Sequence, residues 1–182
     1  MDDPSEFVRK SVANNINDIA KDHPDIVLDI VRKWKGKSKN TDWILRHGAR
    51  TLLRKADPGI YQQFGLSGTH DCDIADFSLS AKSVEIGKTL ELIFTLNNKA
   101  SKKQLFRVEL GVYYMKSGGK TSRKLFKITE NSFEPSKPYK FKRKIAFTDL
   151  TTRKHYAGKH AVTIVVNGKE LATKHFTLRA SK

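Results

Sequence analysis

The hydrophobic pattern of the chain changes period once, between Gly65 and Cys72, and that change constrains the fold more than any other feature. Before it, apolar residues recur three and four apart, which is the period of a helix buried on one side. After it they alternate, which is the period of a strand with one buried face. A chain of 182 residues with one such change is read as two parts, 1–68 helical and 69–182 stranded.

In the first part, Val8, Val12, Ile16 and Ile19 mark a helix over Pro4–Ala20, with Asp3 as N-cap and Pro4 in its first turn. Pro24 opens a second helix that carries Ile26, Val27, Ile30, Val31 and Trp34 and ends at Gly36. Asn40 or Thr41 caps a third, which runs to about Ala56 with Leu45, Ala49, Leu52 and Ala56 inward. Asp57-Pro58 breaks it before a short turn closing at Gly65. Helical hairpins of this length predict HEAT-like repeats. Only about one and a half are present, where about three make a stable stack, so the chain is expected to begin inside an array and to be part of a longer protein.

The second part predicts seven strands: Asp76–Val84, Thr89–Asn97, Leu105–Met115, Ser122–Thr129, Tyr139–Phe147, His160–Asn167 and Glu170–Arg179. Asn167-Gly168 is a strong hairpin signal, and Gly118-Gly119 marks another. Seven short strands in this span predict an immunoglobulin-like sandwich without the disulfide, since Cys72 is the one cysteine. The expected fold class is therefore terminal HEAT-like repeats followed by a seven-stranded immunoglobulin-like β-sandwich. A single thiol also suits a reducing, cytoplasmic setting and cannot build a cysteine zinc site.

Charge narrows the partner. Thirty-five Lys and Arg against nineteen Asp and Glu give +16, an excess that points to a polyanion. Residues 1–70 hold twelve cations and nine anions, net +3; residues 71–182 hold twenty-three and ten, net +13. No amphipathic helix with a bulky apolar face supports a membrane as that polyanion. No phosphate-binding glycine loop, dinucleotide fingerprint or histidine-rich metal spacing occurs, so neither a metal nor a cofactor is expected.

Several constellations could carry chemistry. Opposite the apolar stripe of the first helix lie Lys10, Asn14, Asn17, Asp18 and Lys21, with Asn14 and Asp18 one turn apart. A carboxylate among amides and lysines could stabilise a developing cation or orient a water; it could equally be a solvated helix face. Asn14, Asn15 and Asn17 weaken a helix, which asks for a local reason. Arg46, Arg50 and Arg54 fall on successive turns with His47 beside them, a ladder suited to phosphate or to solvent. Arg32, Lys33 and Lys35, followed by Lys37 and Lys39, crowd the end of the second helix and complement its dipole. Two glycine-containing segments hold Lys120, Arg123 and Lys124, and Arg153 and Lys154, which suits contact with a nucleic-acid backbone. Lys140, Lys142 and Lys144 alternate along one strand, read as protection of a sheet edge.

Arg9-Lys10, Val12-Ala13-Asn14, Asn17-Asp18-Ile19, Lys21 and Pro24, followed by Trp43, Arg46-His47, Arg50-Thr51-Leu52-Leu53 and Lys55, together resemble the final repeats of the AlkC and AlkD alkylpurine DNA glycosylases. An immunoglobulin-like domain after them points to the AlkC branch. The resemblance covers the whole chain but about the C-terminal half of such an enzyme. It implies excision of cationic N3-alkylated bases (3-methyladenine, 3-methylcytosine) from double-stranded DNA by hydrolysis of the N-glycosidic bond, with a carboxylate in place of a strong general acid. By position, Asp18 matches a catalytic acidic residue. Asn14 stands where AlkD relatives carry a lesion-contacting tryptophan. Arg46 and Arg50 match a basic DNA-holding surface. The part in hand is expected to be inactive alone, and the full-length protein a monomer. A non-catalytic nucleic-acid-binding scaffold is the alternative, and a protein-interaction module a third reading.

Overall fold

The computed structural model describes residues 2–67, 71–151 and 154–180. The chain forms two compact units, Met1–Gly68 and Thr69–Lys182.

The first unit holds α1 (Glu6–Asp22), α2 (Pro24–Trp34), α3 (Lys39–Gly48), α4 (Arg50–Arg54) and α5 (Pro58–Gln63). Ser5, rather than Asp3, precedes α1 as its N-cap; Asp3 instead accepts a hydrogen bond from the Ser5 amide at 2.8 Å. Ser38 caps α3 by accepting from the Thr41 amide, so Asn40 and Thr41 lie inside the first turn. The expected third helix is broken at Ala49. Gly48 sits against α1 so closely that a Cβ there would lie 2.7 Å from Ile16 Cγ2. Across this approach Ala13, Ile16 and Ala20 of α1 are buried, as are Ile44 and Leu45 of α3. Asn17 of α1 is also buried, and its Oδ1 accepts from the Thr51 amide (3.2 Å) and hydroxyl (2.8 Å). That side chain satisfies a donor in the first turn of α4, as an N-cap would. It supplies the local reason for an asparagine in mid-helix.

The second unit is a two-sheet sandwich of eight strands: β1 (Cys72–Leu79), β2 (Ser83–Glu85), β3 (Thr89–Asn98), β4 (Gln104–Met115), β5 (Thr121–Phe133), β6 (Pro138–Ala146), β7 (Gly158–Val166) and β8 (Lys169–Arg179). One sheet has the order β1-β3-β6 and the other β2-β8-β7-β4-β5, an immunoglobulin-like arrangement. Leu90, Leu92, Phe94 and Leu96 of β3 meet Phe106, Val108, Leu110 and Val112 of β4 and Val162, Ile164 and Val166 of β7 in one core. The strand expected over Asp76–Val84 is two. Asp76 takes a left-handed backbone (φ 53°), the register slips between Ala75 and Ser78, and the chain crosses to the other sheet, where β2 runs parallel to β8. Asn167 and Gly168, both at positive φ, join β7 to β8.

The expected fold class therefore needs correction. The helical part is no repeat array: among the described residues its five helices are short and unequal, at 17, 11, 10, 5 and 6 residues, and the chain is mainly β. Among the described residues the sandwich has eight strands, not seven. Among the described residues no helix is long and apolar enough to cross a membrane.

Candidate nucleic-acid interface

In the helical unit a polar cluster forms where α1 faces the α3–α4 break. Arg50 donates to the His47 carbonyl at 2.9 Å and to Asn14 Oδ1 at 3.1 Å. Asp18, one turn beyond Asn14, is exposed and pairs with Lys21 at 2.7 Å. The Lys21 hydrogen bond and then its charge hold the Asp18 carboxyl below the ordinary aspartate range, and Arg50 adds to this. Asp18 is therefore ionised at neutral pH. His47 stacks flat on Trp43, with ring centroids 5.0 Å apart and 5° between planes. Burial, then the charges of Arg50 and Lys10, lower the His47 pKa, so its imidazole is neutral at pH 7. Arg9 lies 5.9 Å from the Trp43 ring centroid. Lys10 pairs with Glu6 at 2.8 Å.

The arginine ladder is split by the break at Ala49. Arg50 joins the α1 face. Arg46 is half-buried and lies 4.6 Å over Phe64, and Arg54 is exposed.

In the sandwich, Lys120 lies in the β4–β5 hairpin, closed by the Lys116 amide on the Lys120 carbonyl at 2.9 Å, with Gly119 at φ 75°. Lys124 is exposed on β5. Arg123 is engaged by Glu170, which also accepts from the Tyr113 hydroxyl at 2.7 Å. Burial opposes ionisation of Glu170, but the bonds from Tyr113 and Arg123 prevail and hold its pKa below the ordinary value. Arg153 lies outside the described residues. Lys154 is exposed in the segment between β6 and β7. That segment is anchored beside it: Asp149 Oδ1 accepts from the His155 amide at 2.8 Å and lies 3.1 Å from His155 Nδ1. The His155 ring is buried against Tyr114 and Phe147.

Sequence reasoning missed Glu170, and it met Arg9 and Trp43 only as parts of a motif. Trp43 and His47 are four apart on one helix, so their stacking had a spacing signal. Glu170 had none, being 47 residues from Arg123. Among the described residues, no three His, Cys, Asp or Glu side chains gather to hold a metal.

Residues 73–180 match the family model described as the C-terminal Ig-like domain of the uncharacterised protein YhaZ. The chain belongs to the YhaZ family. It is 38% identical over 169 residues to Bacillus subtilis YhaZ, covering 93% of this chain and 47% of that protein. Its structure is similar to the Pseudomonas fluorescens alkylpurine DNA glycosylase AlkC, solved bound to DNA containing an abasic-site analogue. There the TM-score is 0.93 and the identity 35%, over 98% of this chain and 50% of AlkC. An Erythrobacter marinus β-glucosidase (TM-score 0.51, 11% identity, 59% of this chain and 15% of that one) shares the fold alone. The YhaZ-family chain thus has an AlkC-like fold and spans about half the length of YhaZ and of AlkC.

Proposed function

We propose that the chain serves DNA alkylation repair, contributing to a glycosylase that releases cationic N3-alkylated bases from duplex DNA. The reading is carried by the match, over nearly the whole chain, to an alkylpurine DNA glycosylase bound to DNA. An ionised, exposed Asp18 beside Asn14 and Arg50 fits the chemistry.

An N3-alkylated base bears a positive charge. Breaking its bond to the sugar C1′ returns the bonding electron pair to the base and neutralises it, so the leaving group needs no proton. Positive charge passes to the sugar, which becomes oxocarbenium-like. A fixed carboxylate stabilises charge that develops in the transition state, and Asp18 has that role. Water then adds to C1′ and loses its proton to the carboxylate or to solvent. Asp18 is held by an exposed pair with Lys21, which a cationic sugar can displace. Asn14 orients Arg50 toward a phosphate. His47, being neutral, adds no competing positive charge beside the sugar. Lys120, Lys124, Arg153 and Lys154 contact the DNA backbone from the sandwich, and Lys10, Arg46 and Arg54 add to the basic surface of the helical unit.

The test is base release from methylated duplex DNA by the whole protein and by its Asp18→Asn variant. The variant should lose release while binding duplex as before. Release at the wild-type rate would assign the chemistry to another group.

A further inference from the structure

The cations of the sandwich divide into two kinds. Lys99 pairs with Asp73 (3.2 Å), Lys103 with Glu134 (2.8 Å), Lys142 and Lys144 both with Glu91 (2.7 and 2.8 Å), and Arg123 with Glu170. These charges are already answered within the fold. Lys82, Lys159 and Lys174 form no ion pair among the described residues, and all three line one groove of about 560 Å³. The groove runs along β8 where β1 crosses toward β2. His175, Ser78, Thr173 and Thr177 complete its polar wall, and no Asp or Glu among the described residues lines it.

The groove is also built to keep its cations in place. Lys174 lies 5.9 Å from the Phe77 ring centroid, which holds its stem to the wall. Lys82 sits where the chain changes sheets, its carbonyl fixed by the Thr177 amide at 2.9 Å. Lys159 is the second residue of β7, which follows the segment that carries Lys154.

We propose that this groove is a second nucleic-acid site, seating the sugar–phosphate backbone of the duplex away from the base being released. The inference rests on the DNA-binding reading above. Three cations without carboxylate partners, beside hydroxyl donors, match a run of phosphodiesters. Phe176 lines the groove but is buried in the core and presents no open face for stacking, which favours the backbone over unpaired bases. Releasing condensed counterions would supply the affinity, so the site is sensitive to salt and indifferent to sequence.

The test compares two triple variants of the full chain that remove the same charge. One is Lys82→Gln, Lys159→Gln and Lys174→Gln. The other is Lys103→Gln, Lys142→Gln and Lys144→Gln, whose lysines are already paired. Affinity for a duplex oligonucleotide is followed by fluorescence anisotropy across a salt series, with circular dichroism to verify folding. The groove variant should bind about tenfold or more weakly near 0.1 M salt, with its log–log salt slope reduced by about 2 to 3. The paired-lysine variant should change the slope by less than about 1. Equal shifts in both variants would overturn the groove and leave the DNA-binding reading standing. A wild-type chain that does not bind duplex at all would overturn both. Displacement by polyglutamate as effective as by duplex would make the occupant an acidic polypeptide and overturn the proposal.

Discussion

Replacing Asn17 with alanine should destabilise the helical unit far more than an average helix substitution. The Asn17 side chain is 5% exposed, and its Oδ1 accepts both the Thr51 amide and hydroxyl. Each such bond contributes about 1 kcal/mol net, and a donor left unmade in a poorly hydrated place costs about 1–3 kcal/mol. Thr51 is half-buried, so water can recover part of the loss. The expected cost is about 2–3 kcal/mol, or a melting shift of about 10–20 °C for a unit of this size. Because the chain has two units, a single melting temperature is a poor readout. Native-state hydrogen exchange of the Thr51 amide and of the α1 amides reports on the helical unit alone. Thr51→Val removes the hydroxyl bond and keeps the amide, so it should cost about 1 kcal/mol. The two changes should be non-additive by a similar amount. A cost below about 0.5 kcal/mol for Asn17→Ala, or strict additivity with Thr51→Val, would refute the linkage between α1 and α4.

Gly48→Ala places a Cβ 2.7 Å from Ile16 Cγ2 and 3.3 Å from the Ala13 carbonyl, so it should cost about 1–3 kcal/mol, with Ile16→Leu, which removes the branch at Cβ, recovering part of it in chemical denaturation. Glu91 has its pKa lowered from 4.5 to about 2 by hydrogen bonds from Lys142 and Lys144. A depressed carboxylate stabilises fully above its unfolded pKa and loses that contribution as pH falls through the folded one, so Glu91→Gln should flatten the stability–pH curve between 4.5 and about 2. Glu170→Gln should free Arg123 for phosphate, raising duplex affinity and steepening the salt slope by up to about 1, as read by anisotropy.

Much of this architecture is legible in the sequence, and the failures have physical causes. Period alone located the change of character between Gly65 and Cys72, and Asn167-Gly168 gave its hairpin. Period could not show the break at Ala49, because it arises from the close approach of Gly48 to Ile16, a contact between positions 32 apart. Nor could it divide Asp76–Val84 between two sheets, since alternation is the same whichever neighbour a strand pairs with. Alternation also implies that Arg107 and Glu109, opposite the core side of β4, meet solvent. Both are buried, and Arg107 pairs with Glu109 at 2.7 Å and with Glu130 at 2.9 Å. At the candidate site, composition identified cations but not their partners. Arg123 reads as a free charge until Glu170 is placed beside it, whereas Asn14 and Arg50, 36 residues apart, read as unrelated until the fold joins them.

The central claim is that an ionised carboxylate, not a general acid, supports base release. Its most direct measurement is the pH dependence of single-turnover release of an N3-alkylated base from duplex DNA. The account predicts a rate that is flat through neutrality and falls only when Asp18 is protonated, below the usual aspartate range. A rate governed by a group titrating near neutral pH, and lost as that group deprotonates, would contradict it.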